Sequence, residues 1–369
     1  MLKVIIMPDS YKGSLSASQV AETIKSAMMQ VRPNDSYQTL PVGDGGEGTI
    51  ENLAAKLELR KRRYSVISSA QKSISVVVYW QQQTAYIQAS DVLGLNLVVD
   101  DQREPLMYSS AGLGQLVQEV LADGAEKIVI ALGGSGTVDG GLGMLSVLGL
   151  QLFDSAGAIV SPTPQNFKYV QHVDTGGLKK VIEACQIVGL ADVRNPLVGE
   201  NGASQVFGIQ KGLTAAQCIK LDEQLKRIYE MIAPDVLNSK HTGAAGGLGA
   251  AIAGPLQGQL ITGIDYVLSE LTVAEIIGQG DLLIVGEGRL DSQTAEGKVI
   301  DGIVSLAKYV NPKLPIIAIC GSVSADADIS GLTAIFSITP ELTSLSQLLA
   351  NSRDNLFRTA YNIAQLLNV

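Results

Sequence analysis

Short apolar segments, each followed by a polar or glycine-rich loop and then by a helical pattern, most constrain what this chain can fold into. The first is Lys3 to Met7, followed by the loop Pro8 to Leu15 and an amphipathic stretch that ends near Val31. Ser16 and Gln19 have the spacing of a capping box at the start of that helix. This repeated order predicts an α/β protein, whose parallel strands bind ligands at their carboxyl ends.

Both ends of the chain supply strands of this kind. Tyr37 to Val42 is the second at the front, and three more follow near the end, at residues 281–285, 315–320 and 333–337. Two strands from the front and three from the back predict one five-stranded, flavodoxin-like domain, formed by residues 1–62 plus 279–369. Helices are expected near residues 49–57, 298–309 and 352–367, and a weaker one in the region 324–332.

The middle of the chain has a different pattern of apolar and polar residues. Residues 63–67, 73–80 and 84–89 alternate and are rich in β-branched side chains, which predicts antiparallel strands with a hairpin turn at 81–83. Further strands at 127–132 and 187–191 and helices at 110–122, 141–148 and 214–233 follow. We therefore expect residues 63–278 to form a mixed α/β domain inserted into the first, with the active site in the cleft between the two domains.

Glycine is unusually frequent and unusually concentrated. Sixteen of the 39 glycines lie in the segments 43–48, 133–143, 243–249 and 286–288. Glycine allows positive φ and close backbone approach, so we expect these segments to be loops that face a ligand. A tight helix-packing turn is the alternative for the segment 133–143.

The charge and cysteine content exclude several classes of protein. The net charge is −9, which argues against a nucleic-acid or anionic-membrane binder, because such proteins usually present a basic surface. No stretch of about 20 apolar residues is present. The three cysteines, Cys185, Cys218 and Cys320, are isolated and form no CxxC motif. We expect a soluble cytoplasmic protein.

Loops at the predicted strand ends carry the residues suited to phosphate chemistry. Pro8 to Ser16 combines a carboxylate, a lysine and serines beside a helix start, where anions are favoured. Gly43 to Thr49 adds two carboxylates, and Gly133 to Gly143 can form a nest of backbone N–H groups. A Walker A motif is missing from the sequence, since Gly297-Lys298 is followed by Val299. A GxGxxG motif is also missing after the first strand.

Six ordered motifs resemble those of the bacterial glycerate kinase family. They are PDSYKGSLSA, PVGDGGEGT, LGGSGTVDGGLGML, DVRNPLVG with GAS and VFGIQKG, GAAGGLGA, and GEGRLDSQTAEGK, and together they span residues 8 to 298. The resemblance implies a two-domain α/β fold and Mg²⁺-dependent transfer of a phosphoryl group from ATP to D-glycerate, commonly at the 2-hydroxyl. Val138 stands where the family commonly has Asn, and Gln88 where it commonly has a carboxylate. Ser110 to Gly114 also departs from the family's usual pattern at that helix start.

The resemblance also suggests roles for individual residues. Lys12, Asp192 and Arg289 are expected to be catalytic, with Asp192 accepting the hydroxyl proton and the two cations binding phosphate or the glycerate carboxylate. The remaining expected residues fall into three groups: Asp9, Ser10, Asn195 and Lys211 for the substrate; Gly45, Gly46, Gly134, Ser135, Thr137 and Lys298 for the nucleotide or its phosphates; and Asp44 and Asp291 for Mg²⁺.

Other functions remain open from the sequence. The product could be 3-phosphoglycerate, or the acceptor a related small hydroxy acid. A nicotinamide-dependent hydroxy-acid dehydrogenase would use similar substrates but requires a dinucleotide fingerprint. A non-catalytic sensor of small molecules would keep the glycine loops without needing clustered Asp, Lys and Arg. A homodimer is compatible with all of these, and no nucleic-acid or membrane partner is expected.

Overall fold

The structure is a computed structural model that describes residues 1–42, 49–97, 103–291, 299–327, 330–341 and 343–368. Its strands are β1 (Lys3–Pro8), β2 (Ser36–Thr39), β3 (Arg60–Ile67), β4 (Ser73–Gln81), β5 (Thr84–Gln88), β6 (Lys127–Ala131), β7 (Gln151–Phe153), β8 (His172–Asp174), β9 (Gln186–Leu190), β10 (Gln259–Ile261), β11 (Leu282–Gly286), β12 (Arg289–Leu290), β13 (Ile316–Cys320), β14 (Ser322–Val323) and β15 (Ala334–Ser337). Its α-helices are α1 (Ala17–Val31), α2 (Thr49–Lys56), α3 (Ala89–Leu93), α4 (Ala111–Ala122), α5 (Leu142–Val147), α6 (Lys179–Ala184), α7 (Ala203–Phe207), α8 (Ala215–Ile232), α9 (Ala244–Ala253), α10 (Gly263–Glu270), α11 (Val273–Gly278), α12 (Val299–Val310), α13 (Leu345–Ala350) and α14 (Ser352–Leu366).

The chain forms two compact units. Unit 1 comprises Met1–Asp44, Glu51–Leu57 and Ile264–Val369, and unit 2 comprises Gly45–Ile50 and Glu58–Gly263. The α/β fold class predicted from the sequence is confirmed. The predicted domain boundaries, and the cleft expected to hold the active site, stay predictions. None of the described helices is long and apolar enough to cross a membrane.

Unit 1 is built on a parallel five-stranded sheet. Its strand order is β15-β13-β11-β1-β2, which is the flavodoxin-like order with two strands from the front of the chain and three from the back. Val4 in β1 pairs with Leu282 in β11 on one side and with Tyr37 in β2 on the other. The carboxyl ends of β1 and β11 are therefore neighbours.

Helices α1 and α14 pack together and cover one face of this sheet. The apolar residues of α1 recur at three- and four-residue spacing, and Val20, Ile24 and Met28 are fully buried against the strands. The predicted capping box is confirmed: Ser16 Oγ accepts from the Gln19 N–H at 3.3 Å, and Gln19 Oε1 accepts from the Ser16 N–H at 2.9 Å. The capping hydrogen bonds and the pattern of buried residues thus both predict a helix that begins after Ser16.

Unit 2 is built on a mixed six-stranded sheet with the order β10-β9-β6-β5-β4-β3. The strands β3, β4 and β5 are antiparallel, as their alternating sequences predict, whereas β5, β6, β9 and β10 run parallel. Parallel pairing brings the carboxyl ends of β5, β6 and β9 to one edge. The segments that follow these three strands contribute most of the candidate site described below.

The weak helix expected in the region 324–332 is wrong. Ser322–Val323 forms the short strand β14, and the described residues that follow it are turns and bends. The Ser324 hydroxyl donates to the Asp326 carboxylate, a local bond that competes with helix formation, and Gly331 has φ +105°. The sequence analysis also missed α9, because its glycines disfavour a helix and Gly246 and Gly247 at its start have positive φ.

Gly112 in α4 provides a test of this packing. A Cβ at this position would lie 1.8 Å from the backbone oxygen of Ile67, which no side-chain movement relieves. Gly112→Ala should therefore lower the midpoint of thermal unfolding, although alanine normally favours a helix by about 1 kcal/mol over glycine. Gly278→Ala in α11 is the matched control, because its Cβ would meet only Val310 Cγ1 at 3.4 Å. Equal unfolding midpoints for the two variants would contradict this account of the packing.

Candidate functional site

Unit 2 contains a cavity of about 570 Å³ at the carboxyl edge of its sheet, which we call the Lys211 cavity. Its volume is in the range of small-molecule binding sites. Residues after β5, β6 and β9 line it, together with parts of α7, α9 and the turn between α7 and α8. The lining residues are Ser90, Leu95, Asn96, Arg103, Leu132, Gly133, Gly134, Ser135, Asp192, Val193, Phe207, Gln210, Lys211, Ala245 and Gly246.

Lys211 is the buried cation of this cavity. It ends the 3₁₀ turn Ile209–Lys211 and is only 5% exposed. Its ammonium donates to the backbone oxygen of Thr137 at 2.9 Å and to Ser135 Oγ at 3.3 Å. Burial lowers the pKa of Lys211 to about 8, and the negative charge of Asp139 partly opposes this shift. Lys211 therefore stays mostly protonated at neutral pH.

The loop after β6 adds backbone donors to the same wall. Gly133, Gly134 and Ser135 line the cavity, and their N–H groups have no hydrogen-bond partner among the described residues. Gly134 has φ +81°, and a Cβ there would approach the Cβ of Ser90 to 3.1 Å. Successive backbone N–H groups beside an ammonium form an anion-binding arrangement. The expected phosphate-binding residues Gly134 and Ser135 therefore lie on one wall with Lys211, expected to bind the substrate.

Asp139 organises the rest of this loop from the interior. Its side chain is fully buried, and its Oδ2 accepts from the Ser110 N–H at 2.6 Å and from Ser110 Oγ at 2.7 Å. The N–H groups of Gly141 and Gly143 also donate to this carboxylate, at 3.1 and 3.2 Å. Burial raises the pKa of Asp139, and these hydrogen bonds act in the opposite direction. No role for Asp139 was predicted from the sequence.

Part of the glycine surplus serves packing rather than ligand binding. Gly140 donates its N–H to the backbone oxygen of Gly246 at 2.9 Å, and a Cβ on Gly246 would lie 2.0 Å from the backbone oxygen of Thr137. The Tyr229 hydroxyl donates to the backbone oxygen of Gly140 at 2.5 Å. The segment 243–249 therefore supports the loop after β6 by direct backbone contact, although Gly246 also lines the cavity.

Two more charged residues line the Lys211 cavity. Asp192, the expected proton acceptor, follows β9 and is exposed. Arg103 is half-buried, and its guanidinium donates to the backbone oxygen of Gln210 at 3.3 Å. Asn195, expected to bind substrate, does not line the cavity; its amide nitrogen donates to the backbone oxygen of Asn201 at 2.8 Å. Thr137 is fully buried and also lies outside the lining.

Arg103, Ser90, Asn96 and Gln210 line the cavity but were missed from the sequence. Gln210 lies in the motif VFGIQKG, so that motif is the one signal that could have found it. The other three residues lie outside the six motifs, and only tertiary contact brings them to the cavity.

The expected catalytic cations of unit 1 lie at the carboxyl edge of its own sheet. The loop after β1 contains Asp9, Ser10 and Lys12, and the Asp9 N–H donates to the backbone oxygen of Gly286 at the end of β11 at 2.8 Å. Arg289 follows in β12, where its Nε lies 3.5 Å from Asp291 Oδ2. Lys12 is exposed and borders a smaller cavity of about 100 Å³ that α13 and α14 also line.

Some expected residues cannot be located. Asp44, Gly45, Gly46 and Lys298 lie outside the described residues. Within the described part of the chain, no group of three or more His, Cys, Asp or Glu side chains could hold a metal ion. Mg²⁺ commonly binds one or two carboxylates plus phosphate oxygens and water, so a site of this kind needs no larger cluster than Asp291 with one further carboxylate.

Two of the three departures from the family pattern, Val138 and Gln88, have distinct environments. Val138 is 2% exposed and packs in the apolar core of unit 2. Gln88 ends β5 and is 7% exposed, and neither polar atom of its amide has a partner among the described residues. Valine at position 138 thus contributes to the core, whereas Gln88 leaves two buried polar atoms unsatisfied.

Lys211 should make stability depend on pH. Its pKa is about 8 when folded, against a usual 10.5, so protonation favours the unfolded state, and this penalty is complete below about pH 8 and lost as the pH approaches 10.5. Lys211→Met removes the penalty. The free energy of unfolding of Lys211→Met minus that of the wild type should therefore be about 2–3 kcal/mol smaller at about pH 10 than at about pH 7.

Urea unfolding of both proteins across this pH range measures the effect. Lys226→Met, which removes an exposed lysine of α8, controls for the loss of a positive charge. A difference between Lys211→Met and wild type that is constant with pH would contradict the lowered pKa.

Comparisons with known proteins identify the family of this chain. The model of the glycerate kinase family matches residues 4–368. The chain is 37% identical to the glycerate 2-kinase of Escherichia coli K12, over 100% of this chain and 98% of that one, and 37% identical to the glycerate kinase of Bacillus subtilis 168, over 98% and 97%. A crystal structure of a protein from Salmonella typhimurium LT2, assigned as glycerate kinase 2, superposes with a TM-score of 0.85 at 38% identity and covers 100% of this chain and 98% of that one. The chain belongs to the glycerate kinase family.

Proposed function

We propose that this protein transfers the γ-phosphoryl group of ATP to the 2-hydroxyl of D-glycerate, giving 2-phosphoglycerate and ADP. Membership of the glycerate kinase family supports the reaction class. The observation that carries the proposal is the wall of the Lys211 cavity, where a buried ammonium lies beside three backbone N–H groups that no described residue accepts from. Such a wall suits a small organic acid whose anionic oxygens need several donors at once.

The compactness of this wall favours the 2-position over the 3-position. In 2-phosphoglycerate the phosphate and the carboxylate are attached to the same carbon, so one cluster of donors can contact both groups. Lys211 would bind the carboxylate, and Gly134 and Ser135 would donate to oxygens of the transferred phosphoryl group. Arg103 lines the same cavity and adds a permanent positive charge.

Asp192 is our candidate for the group that accepts the proton of the reacting hydroxyl. Among the described residues that line the cavity, it is the single carboxylate. Phosphoryl transfer needs little covalent chemistry from the protein, so positioning and charge neutralisation supply most of the rate acceleration. A carboxylate within hydrogen-bonding reach of the hydroxyl would orient it and accept its proton as the new O–P bond forms.

For unit 1 we propose binding of the nucleotide phosphates. Lys12 and Arg289 would neutralise phosphate charge. Asp9 and Ser10 remain candidates for contact with the substrate, as expected from the sequence. Asp291, together with Asp44, would hold Mg²⁺, which supplies further neutralisation of the β- and γ-phosphates when bound. Lys298, Gly45 and Gly46 remain candidates for nucleotide contact on the sequence alone. The isolated, unpaired cysteines are compatible with a reducing cytoplasm.

The alternatives predict different outcomes for the wild-type protein. We expect ADP release with D-glycerate in a coupled assay, and a product whose phosphorus and proton NMR spectra identify 2-phosphoglycerate. A 3-phosphoglycerate product would reject the regiochemistry alone. Turnover limited to other small hydroxy acids would reject glycerate as the substrate. Binding of NAD without ATP turnover would favour a dehydrogenase, and binding of glycerate without any turnover would favour a sensor.

Asp192→Asn tests the proton acceptor in the same assay. The amide cannot accept the proton, so kcat should fall by roughly 100-fold or more while the fold is retained. Asp154→Asn is the matched control, because Asp154 is a half-buried loop residue outside the lining of the Lys211 cavity, and its Oδ1 accepts from the N–H groups of Ala156 and Ala158. A fall in kcat of less than about tenfold for folded Asp192→Asn would remove Asp192 from the mechanism.

A further inference from the structure

Asp139 is the buried charge that the proposed mechanism does not use. It is fully buried, it does not line the Lys211 cavity, and four donors surround its two oxygens. Burying a carboxylate is costly unless it is hydrogen-bonded and paired, so its presence needs a reason. Each of the four groups that contact the Asp139 carboxylate is a hydrogen-bond donor, and such donors stabilise its ionised form.

We propose that Asp139 is a positioning residue that orders the loop after β6 and holds the ammonium of Lys211 in its charged form. Asp139 would thereby set the alkaline limit of glycerate binding. The inference rests on the proposed function only in so far as Lys211 binds the glycerate carboxylate.

The geometry connects the two charges through one short segment. Lys211 Nζ donates to the backbone oxygen of Thr137, two residues before Asp139. Beyond Asp139, the N–H groups of Gly141 and Gly143 point at its carboxylate, and a Cβ on Gly143 would lie 2.7 Å from Asp139 Oδ2. The loop thus binds the ammonium of Lys211 through Thr137, and its residues after Asp139 bind the Asp139 carboxylate.

The other ionisable groups around Lys211 do not duplicate this effect. Arg103 lines the same cavity with a positive charge and therefore opposes protonation of Lys211. Asp192 lines it too but is exposed, so water screens its charge. Tyr229 is buried and donates to Gly140; burial and the charge of Asp139 raise its pKa well above the usual value, so it stays neutral. Asp139 is the one buried negative charge among these groups, and it raises the pKa of Lys211.

The test is the pH profile of kcat/KM for D-glycerate at saturating ATP. Asp139→Asn keeps the size of the side chain but removes its charge, so Lys211 should lose its proton at lower pH. We expect the alkaline limb of the profile to move down by roughly one pH unit. Tyr229→Phe is the matched control: it removes a buried hydrogen bond to the same loop without changing charge, so it should lower stability and leave the limb in place.

The outcomes separate this inference from the proposed function. Without turnover of D-glycerate by the wild type, the proposed function fails first. With wild-type turnover, equal alkaline limbs for Asp139→Asn and Tyr229→Phe would overturn the role of Asp139. If Asp139→Asn does not fold, Lys211→Arg keeps the claim testable, because arginine does not lose its proton in this range. An alkaline limb that persists in folded, active Lys211→Arg would overturn the proposal, because the limb would then belong to a group other than Lys211.

Discussion

A buried carboxylate needs donors, and in unit 2 this need fixes the conformation of the loop after β6. Asp139 receives the N–H and the hydroxyl of Ser110 and two backbone N–H groups from its own loop. These bonds hold residues 139–143 around the carboxylate, and Gly133 to Ser135, earlier in the same loop, line the cavity. Lys211 then bonds to Thr137 and Ser135 from the other side. The candidate site depends on this one satisfied charge.

Much of the fold follows from local sequence patterns. Apolar runs bounded by loops identify the five strands of the parallel sheet, and the capping box at Ser16 marks a helix start that the structure contains. Alternation identifies β3, β4 and β5 as antiparallel. These signals are reliable because burial on one or both faces of a strand, and satisfaction of the first N–H groups of a helix, act over a few residues.

The site was predicted only in part, because it depends on contacts between distant segments. Gly134, Ser135, Asp192 and Lys211 carry motif signals and do meet at one cavity. Arg103 has no such signal, because its guanidinium reaches Gln210, more than a hundred residues away, only in the folded chain. For the glycines of 243–249, by contrast, the sequence signal was strong but its interpretation was incomplete. Their composition suggested a ligand loop, whereas Gly246 and Gly247 chiefly admit the backbones of Thr137 and Gly140.

The register of the five-stranded sheet also determines when unit 1 can form during synthesis. Every neighbour of β1 other than β2 comes from the last third of the chain, since Val4 pairs with Leu282. Meanwhile the six strands of the other sheet are complete once Ile261 has been made. One edge of β1 therefore stays unpaired while most of the polypeptide is translated. Four of its apolar side chains are fully buried in the folded protein. Such a long-range pairing is slow and leaves the apolar surface of the first strand open to association during translation.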